Sequence, residues 1–271
     1  MLVNNAKYYE GEKMFHGFIP HIMGTRFDLL MLHTDGEDAD LLWWRVMDRL
    51  EVLDGMLNRF DAHSEVARLN ALCPTEEWTE VSEELGRIIG LCGEYYHKTE
   101  RLFDVTLRDF ALVEWNEECR SVRFAEEGVS LDFGGFAKGY ALSEVKRLLE
   151  EEGVENAFVD FGRSSLLALG HHPYGDCWKV AFNNPYTGEL VREFALRDVS
   201  MSTSGNTADY SGHIINPATG EYENSQVAST VLAPNPLDAE VLSTVWLVAT
   251  EEEREAIGRR FENIECELHE L

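Results

Sequence analysis

Leu131-Asp132-Phe133-Gly134-Gly135-Phe136-Ala137-Lys138-Gly139-Tyr140 is the stretch on which the reading of this chain turns. A strand-like run, Val129–Phe133, meets two adjacent glycines and passes directly into a helical pattern predicted over Ala137–Glu152 and closed by Gly153. Adjacent glycines permit torsions that other residues avoid. A strand turning straight into a helix gathers backbone N–H groups and the positive end of the helix at one place. With Lys138 in the first turn, that setting suits a phosphate. The same residues would equally serve a tight turn without a ligand, and they form neither a P-loop nor a G-x-G-x-x-G fingerprint.

Upstream, apolar residues at mostly helical spacing (Leu42, Val46, Leu50, Leu53, Leu57) predict a helix over Leu41–Leu57. Shorter helices are predicted over Ser64–Leu72 and Val81–His97, with Ser64 and Ser82 as N-caps. Strands are predicted at Ser121–Ala125, Asn156–Phe161, Ser165–Gly170, Trp178–Asn183 and Val227–Ala233, and a last helix at Leu237–Ala249. Asn184 to Gly188 supplies turn chemistry between strands. Helices first, then mixed strands and helices, favour an α+β fold: a single compact unit of two lobes over residues 1–271, with mixed sheets and flanking helices.

The chain has 271 residues, 44% of them hydrophobic, enough for one large core or two small ones. Fifty acidic residues against 23 basic ones give a formal net charge of −27, which argues against nucleic acid as a partner. The same field would repel a phosphate-rich ligand unless metal or backbone N–H groups offset it locally. The runs Glu150–Glu152 and Glu251–Glu253 fit exposed helix ends. No apolar run is long enough to span a bilayer. Met1–Tyr9 shows no leader pattern, so the expected location is the cytoplasm as the sequence stands, or periplasmic or membrane-anchored if a leading segment was removed. Cys73, Cys92, Cys119, Cys177 and Cys266 are odd in number and scattered, suggesting neither a zinc site nor a disulfide framework.

Three further segments carry candidate chemistry. Ser202-Thr203-Ser204-Gly205-Asn206, followed by His213-Ile214-Ile215-Asn216-Pro217-Ala218-Thr219-Gly220, sets hydroxyls beside glycine and a histidine before a strong turn signal. In Asp238-Ala239-Glu240-Val241-Leu242-Ser243-Thr244, a helix would put Glu240 and Thr244 on one face, two hard oxygens of the kind Mg²⁺ or Ca²⁺ prefers. The bland alternative is a helix start with Asp238 as cap. Leu102-Phe103-Asp104-Val105-Thr106 places an acid between apolar neighbours.

Taken together and in order, these segments resemble the ApbE-like family of FAD:protein FMN transferases. The resemblance begins at Met23-Gly24-Thr25 and continues through Phe60 and Ser64–Asn70 (S-E-V-A-R-L-N) to Phe103–Thr106. It then takes in Asp132–Tyr140, Thr203–Gly205 and His213–Gly220, and ends at Ala239–Thr244. It implies an FAD cleft between two lobes and a Mg²⁺ ion on the pyrophosphate. It also implies transfer of FMN to a Ser or Thr hydroxyl of an acceptor protein, with release of AMP. Glu240 and Thr244 would hold the metal, with a backbone carbonyl from Gly135 or Ala137. Met23, Phe60, Leu102, Phe103, Asp104, Asp132, Lys138, Thr203, His213 and Ile214 would line the FAD site. His213 is the expected proton acceptor and Asp104 the second candidate. Two alternatives accompany this reading: a Mg²⁺-dependent FAD pyrophosphatase that uses water as acceptor, and a flavin-binding protein without catalysis. The chain departs from the family pattern at Glu240 (usually Asp), Asn216 (usually Asp), Val105 (often Pro) and Asp160–Ser164 (often Gly-Gly).

Overall fold

The computed structural model describes residues 5–32, 35–72, 77–106, 108–208 and 211–271. Cys73 and the first four residues of the N-terminal stretch considered above lie outside them. Three strands come first: β1 (Asn5–Tyr9), β2 (Met14–Ile22) and β3 (Thr25–Leu32). Then follow α1 (Gly36–Leu57), α2 (Glu65–Ala71), β4 (Thr79–Glu80), α3 (Glu83–Lys98), β5 (Val113–Asn116) and β6 (Ser121–Phe124). The second half runs α4 (Ala137–Glu151), β7 (Ala157–Phe161), β8 (Ser165–Leu169), β9 (Trp178–Asn183), β10 (Leu190–Leu196) and β11 (Val199–Gly205). It closes with β12 (Val227–Ala233), α5 (Pro236–Val248), α6 (Glu251–Gly258) and β13 (Glu265–Glu270).

The α+β architecture is the one expected, but the order is not helices first. β1 to β3 precede every helix and join the main sheet, whose order is β1-β2-β3-β7-β8-β11-β12-β13 with every neighbouring pair antiparallel. β2 has period two: Phe15, Gly17 and Ile19 are buried while His16 and Phe18 are only partly covered. The inner face packs against α1, α4 and α5, and Trp43 of α1 lies so close to Gly17 that a Cβ there would come within 2.6 Å of the indole. The β9–β10 hairpin covers the other face through Trp178, Phe194 and Leu196. β8, covered on both sides, is buried at all five positions. A small β4-β6-β5 sheet forms a second, lesser layer.

Local signals hold where capping chemistry is explicit. Ser64 accepts from Ala67 N–H and Ser82 from Leu85 N–H. Gly153 ends α4 with φ 69°. Two expectations are corrected. The Val129–Phe133 run forms no strand; Leu131 makes one isolated bridge to Thr106, because the Asn70 amide takes its backbone groups instead. The cap of α5 is Asn235, which accepts from Leu237 N–H, while Asp238 lies in the first turn and receives the Tyr95 hydroxyl at 2.6 Å.

Gly139 sets the distance between α4 and α5. A Cβ there would come within 2.5 Å of Glu240 Cβ and 3.1 Å of Leu237 Cα, the second of which is backbone and cannot swing aside. Gly139→Ala is therefore expected to lower the unfolding free energy by about 1–3 kcal/mol through overpacking. Urea denaturation checks this, and a midpoint equal to that of the unchanged protein would refute it.

Candidate phosphate and cation site

The glycine turn is positioned from three sides. Asn70, the last residue of the S-E-V-A-R-L-N segment, donates from Nδ2 to Leu131 O (2.9 Å) and accepts from Leu131 N–H (2.8 Å). Val105 O accepts from Asp132 N–H at 2.6 Å, so the Leu102–Thr106 segment crosses directly beside the turn. The Asp132 carboxylate receives Gly134 N–H at 2.9 Å and pairs with Arg59 Nε at 3.3 Å. Phe136, Phe133 and Phe103 are buried under the turn with Tyr95 and Tyr140. Phe136, the residue at the N-cap position of α4, makes no side-chain cap, so the first turn of that helix has no competing side-chain acceptor.

At the centre lies Glu240, buried on α5. Its Oε1 receives the Lys138 ammonium, and its Oε2 accepts from Ser165 Oγ at 2.6 Å and Ser202 Oγ at 2.9 Å. Ser165 and Ser202 are directly paired across β8 and β11, which is why two hydroxyls converge on one oxygen. The hydroxyls continue as a chain: Ser243 Oγ donates to Ser202 (3.1 Å) and lies 2.8 Å from Ser204 Oγ, itself 3.2 Å from Thr244 Oγ1. Gly135 faces Thr244, where an added Cβ would approach Oγ1 to 3.8 Å. Glu240, Thr244, Gly135 and Lys138, four of the residues singled out in the sequence, are thus brought to one junction.

Other expected residues divide. Leu102 and Asp104 line a cavity of about 250 Å³ with Pro217 and Ala218 of the 213–220 loop. Phe103 is buried in the aromatic cluster below Gly135. Phe60 stands 83% exposed beside the Arg59 guanidinium, which sits 4.7 Å above its ring. Met23, at φ 48° in the β2–β3 turn, donates its N–H to Asp54 near the end of α1, a carboxyl whose pKa burial pushes up. Asp104 spends both oxygens on backbone amides, Thr106 N–H at 2.7 Å and Phe110 N–H at 2.9 Å, an arrangement that shapes its loop more than it offers a base. Ile214 is buried beneath the 213–220 loop, while His213 lies at the surface, where desolvation still keeps its pKa below the ordinary histidine value.

Thr203 points away from the junction. Ser202 and Ser204 face α5, so Thr203 between them projects to the opposite side of β11, where Met201 packs. The sequence reading missed Ser165, Ser202, Ser243, Asn70 and Arg59. Ser202, Ser243 and Asn70 lie inside segments already singled out, whereas no local signal marks Ser165 or Arg59. Asn216 departs from the family's aspartate for a visible reason: its Oδ1 caps Ala218 N–H (2.9 Å) while Nδ2 donates to Val248 O (3.3 Å), and a carboxylate could not make the second bond.

Among the described residues no cluster of three or more His, Cys, Asp or Glu is suited to a metal. A hard ion at this junction would rest on one carboxylate, the Thr244 hydroxyl and backbone oxygen, a set that suits Mg²⁺, which keeps several of its waters. The donor chemistry fits such an ion, and the ammonium on Glu240 already stands in for a cation there.

These features define a class: an antiparallel α+β protein whose glycine turn, lysine and buried acid meet at one junction. The family model described as "ApbE family" matches residues 23–268, and the chain belongs to that family. Proteins named FAD:protein FMN transferase from Escherichia coli K12 and Klebsiella pneumoniae are 31% and 25% identical to it, each alignment covering 88% of this chain and 79% of the relative. The structure of the flavin transferase ApbE from Vibrio cholerae superposes with a TM-score of 0.79 at 20% identity, over 98% of this chain and 92% of that one. The apo flavinyl transferase ApbE of Pseudomonas stutzeri gives 0.78 at 21%, over 97% and 90%; at these identities the likeness is one of fold.

Removing the carboxylate would leave the Lys138 ammonium and two buried hydroxyls without their acceptor. Glu240→Ala is expected to cost about 2–3 kcal/mol of stability, below the ~3–5 typical of a fully buried pair because Lys138 is 20% exposed. An unchanged denaturation midpoint would contradict it.

Proposed function

We propose that this protein is a metal-dependent FAD:protein FMN transferase, moving FMN from FAD to a Ser or Thr hydroxyl of an acceptor protein and releasing AMP, with the chain acting as one unit. The observation that carries the reading is the meeting of the Gly134–Lys138 turn with Glu240 and Thr244, within a chain of the ApbE family whose relatives bear that name. In the transfer, the acceptor oxygen forms a bond to the FMN phosphorus as the bridging P–O bond breaks and AMP leaves. A divalent ion, Mg²⁺ in our reading, would be held by Glu240, Thr244 and a carbonyl from the Gly135–Ala137 stretch, and would neutralise charge on the pyrophosphate.

The chain's own residues do the rest. No side chain caps the start of α4, so beyond Ala137, whose N–H is held by Phe133 O, the helix turns its positive dipole end toward phosphate oxygens, and Lys138 adds a mobile cation. Asp132, bonded to Gly134 N–H and paired with Arg59, fixes the shape of the turn. Exposed Phe60 offers an aromatic face for a planar ring. His213 takes the acceptor hydroxyl proton: its lowered pKa keeps the imidazole neutral, and so able to accept, at neutral pH.

The test is incubation with FAD, Mg²⁺ and a candidate acceptor, following AMP by chromatography and covalent flavin by mass spectrometry. Metal-dependent AMP with flavin on a Ser or Thr is expected. AMP without flavinylated protein would point to transfer to water. Tight FAD binding with no AMP would favour a flavin carrier, a reading to which the fully engaged Glu240 carboxylate lends some weight.

The sign of the pH dependence follows from His213. A base of lowered pKa is active above that pKa, so the rate should be flat around neutrality and fall only on the acid side of the ordinary histidine range. His213→Ala should slow transfer by roughly 10²–10⁴-fold and abolish that acid limb. A variant that retains the limb would remove His213 from the proton's path.

A further inference from the structure

The position where a metal would meet Glu240 is taken by Lys138. Oε1 carries the ammonium, and Oε2 is filled by Ser165 and Ser202, so the carboxylate has no oxygen left without a donor. The two partners differ in freedom. Glu240 is clamped by two hydroxyls, and Gly139 packs against its Cβ. Lys138 sits in the first turn of α4 on a flexible four-carbon stem, at the partly exposed edge of the site. The movable member of the pair is the lysine. Thr244, the other expected metal ligand, has its hydroxyl one turn further along, against Ser204 and next to Gly135. A divalent ion drawing on Glu240 and Thr244 would have to share Oε1 with a like charge or expel it, and at contact distance two cations on one oxygen repel strongly.

We propose that Lys138 is the resident counter-ion of Glu240, and that a divalent ion binds by exchange with it, displacing the ammonium from the carboxylate and freeing it for the phosphate of the ligand. This rests on the reading above that the metal uses Glu240. The exchange leaves the buried carboxylate compensated in both states. It keeps the metal weakly bound until an anionic ligand can take up the released ammonium, so that metal and phosphate ligand reinforce one another. It also gives the long glutamate at this position a purpose: its reach lets one carboxylate touch β8, β11 and α4 together.

The experiment is titration of Mn²⁺ into the ligand-free full chain, with free Mn²⁺ read by electron paramagnetic resonance. The unchanged protein should bind weakly. Lys138→Met, lacking the competing charge, should bind one Mn²⁺ roughly ten-fold tighter or more, whereas Lys138→Arg, which keeps a cation, should stay weak. Adding Glu240→Gln to Lys138→Met should abolish the tight site. Equal or weaker affinity in Lys138→Met, or equally tight binding in Lys138→Arg, overturns the exchange. If Lys138→Met folds poorly without metal, its Tm should rise more on adding Mn²⁺ than that of the unchanged protein; an equal or smaller rise also overturns it. None of these readouts uses FAD or an acceptor. Failure to release AMP would therefore sink the transferase reading alone, and failure of Mn²⁺ to tighten would sink the exchange alone.

Discussion

A carboxylate placed inside a protein must be met by donors or a counter-charge, and in this molecule that requirement falls on Glu240. Its three partners come from α4, β8 and β11, and Glu240 itself rides on α5. Meeting the demand of one side chain therefore fixes how two helices lie on the middle of the eight-stranded sheet. Gly139 allows the helices to come close enough, and the pairing of Ser165 with Ser202 brings two hydroxyls to a single oxygen. Stability and site geometry are here the same set of contacts.

From that junction the remaining parts of the site follow by short links. Ser202 passes the hydroxyl chain through Ser243 and Ser204 to Thr244, which faces the glycine turn at Gly135. The turn is held from behind by Asn70, from the side by Val105 and in front by the Asp132–Arg59 pair. Motifs that look unrelated in the sequence thus share one task, to keep a short stretch of uncapped backbone in place. The 213–220 loop joins them through Pro217 and Ala218 at the cavity beside Asp104, and Asn216 ties that loop to the end of α5.

Much of this was legible from local pattern. Capping serines and the helix that ends at Gly153 depend on interactions within a few residues, and the five strands with clear boundaries carry local composition and turn residues, so sequence spacing reports them directly. Failures came where distant contacts overrode local preference. Val129–Phe133 has strand composition, yet Asn70 claims the backbone of Leu131 and leaves no ladder to form. Of the first three strands, β2 alternates from Met14 to Ile19 and was open to a period-two reading, whereas β3 is buried on both faces over Phe27–Leu29 and loses the alternation that marks a half-buried strand. Thr203 drew attention as a hydroxyl in the right segment, but only knowing which face of β11 meets α5 separates it from Ser202 and Ser204.

By itself, then, the sequence determined the family, the α+β class and the residues Lys138, Gly135, Glu240 and Thr244 as candidates, because motif order and helical spacing are properties of the chain. The tertiary structure alone decided how those candidates are partnered. Lys138 and Glu240 stand 102 positions apart, and Ser165 and Ser202 reach the same carboxylate from 75 and 38 positions away. Such meetings are set by strand register and helix approach, which depend on every packed element at once and leave no periodic trace in the sequence.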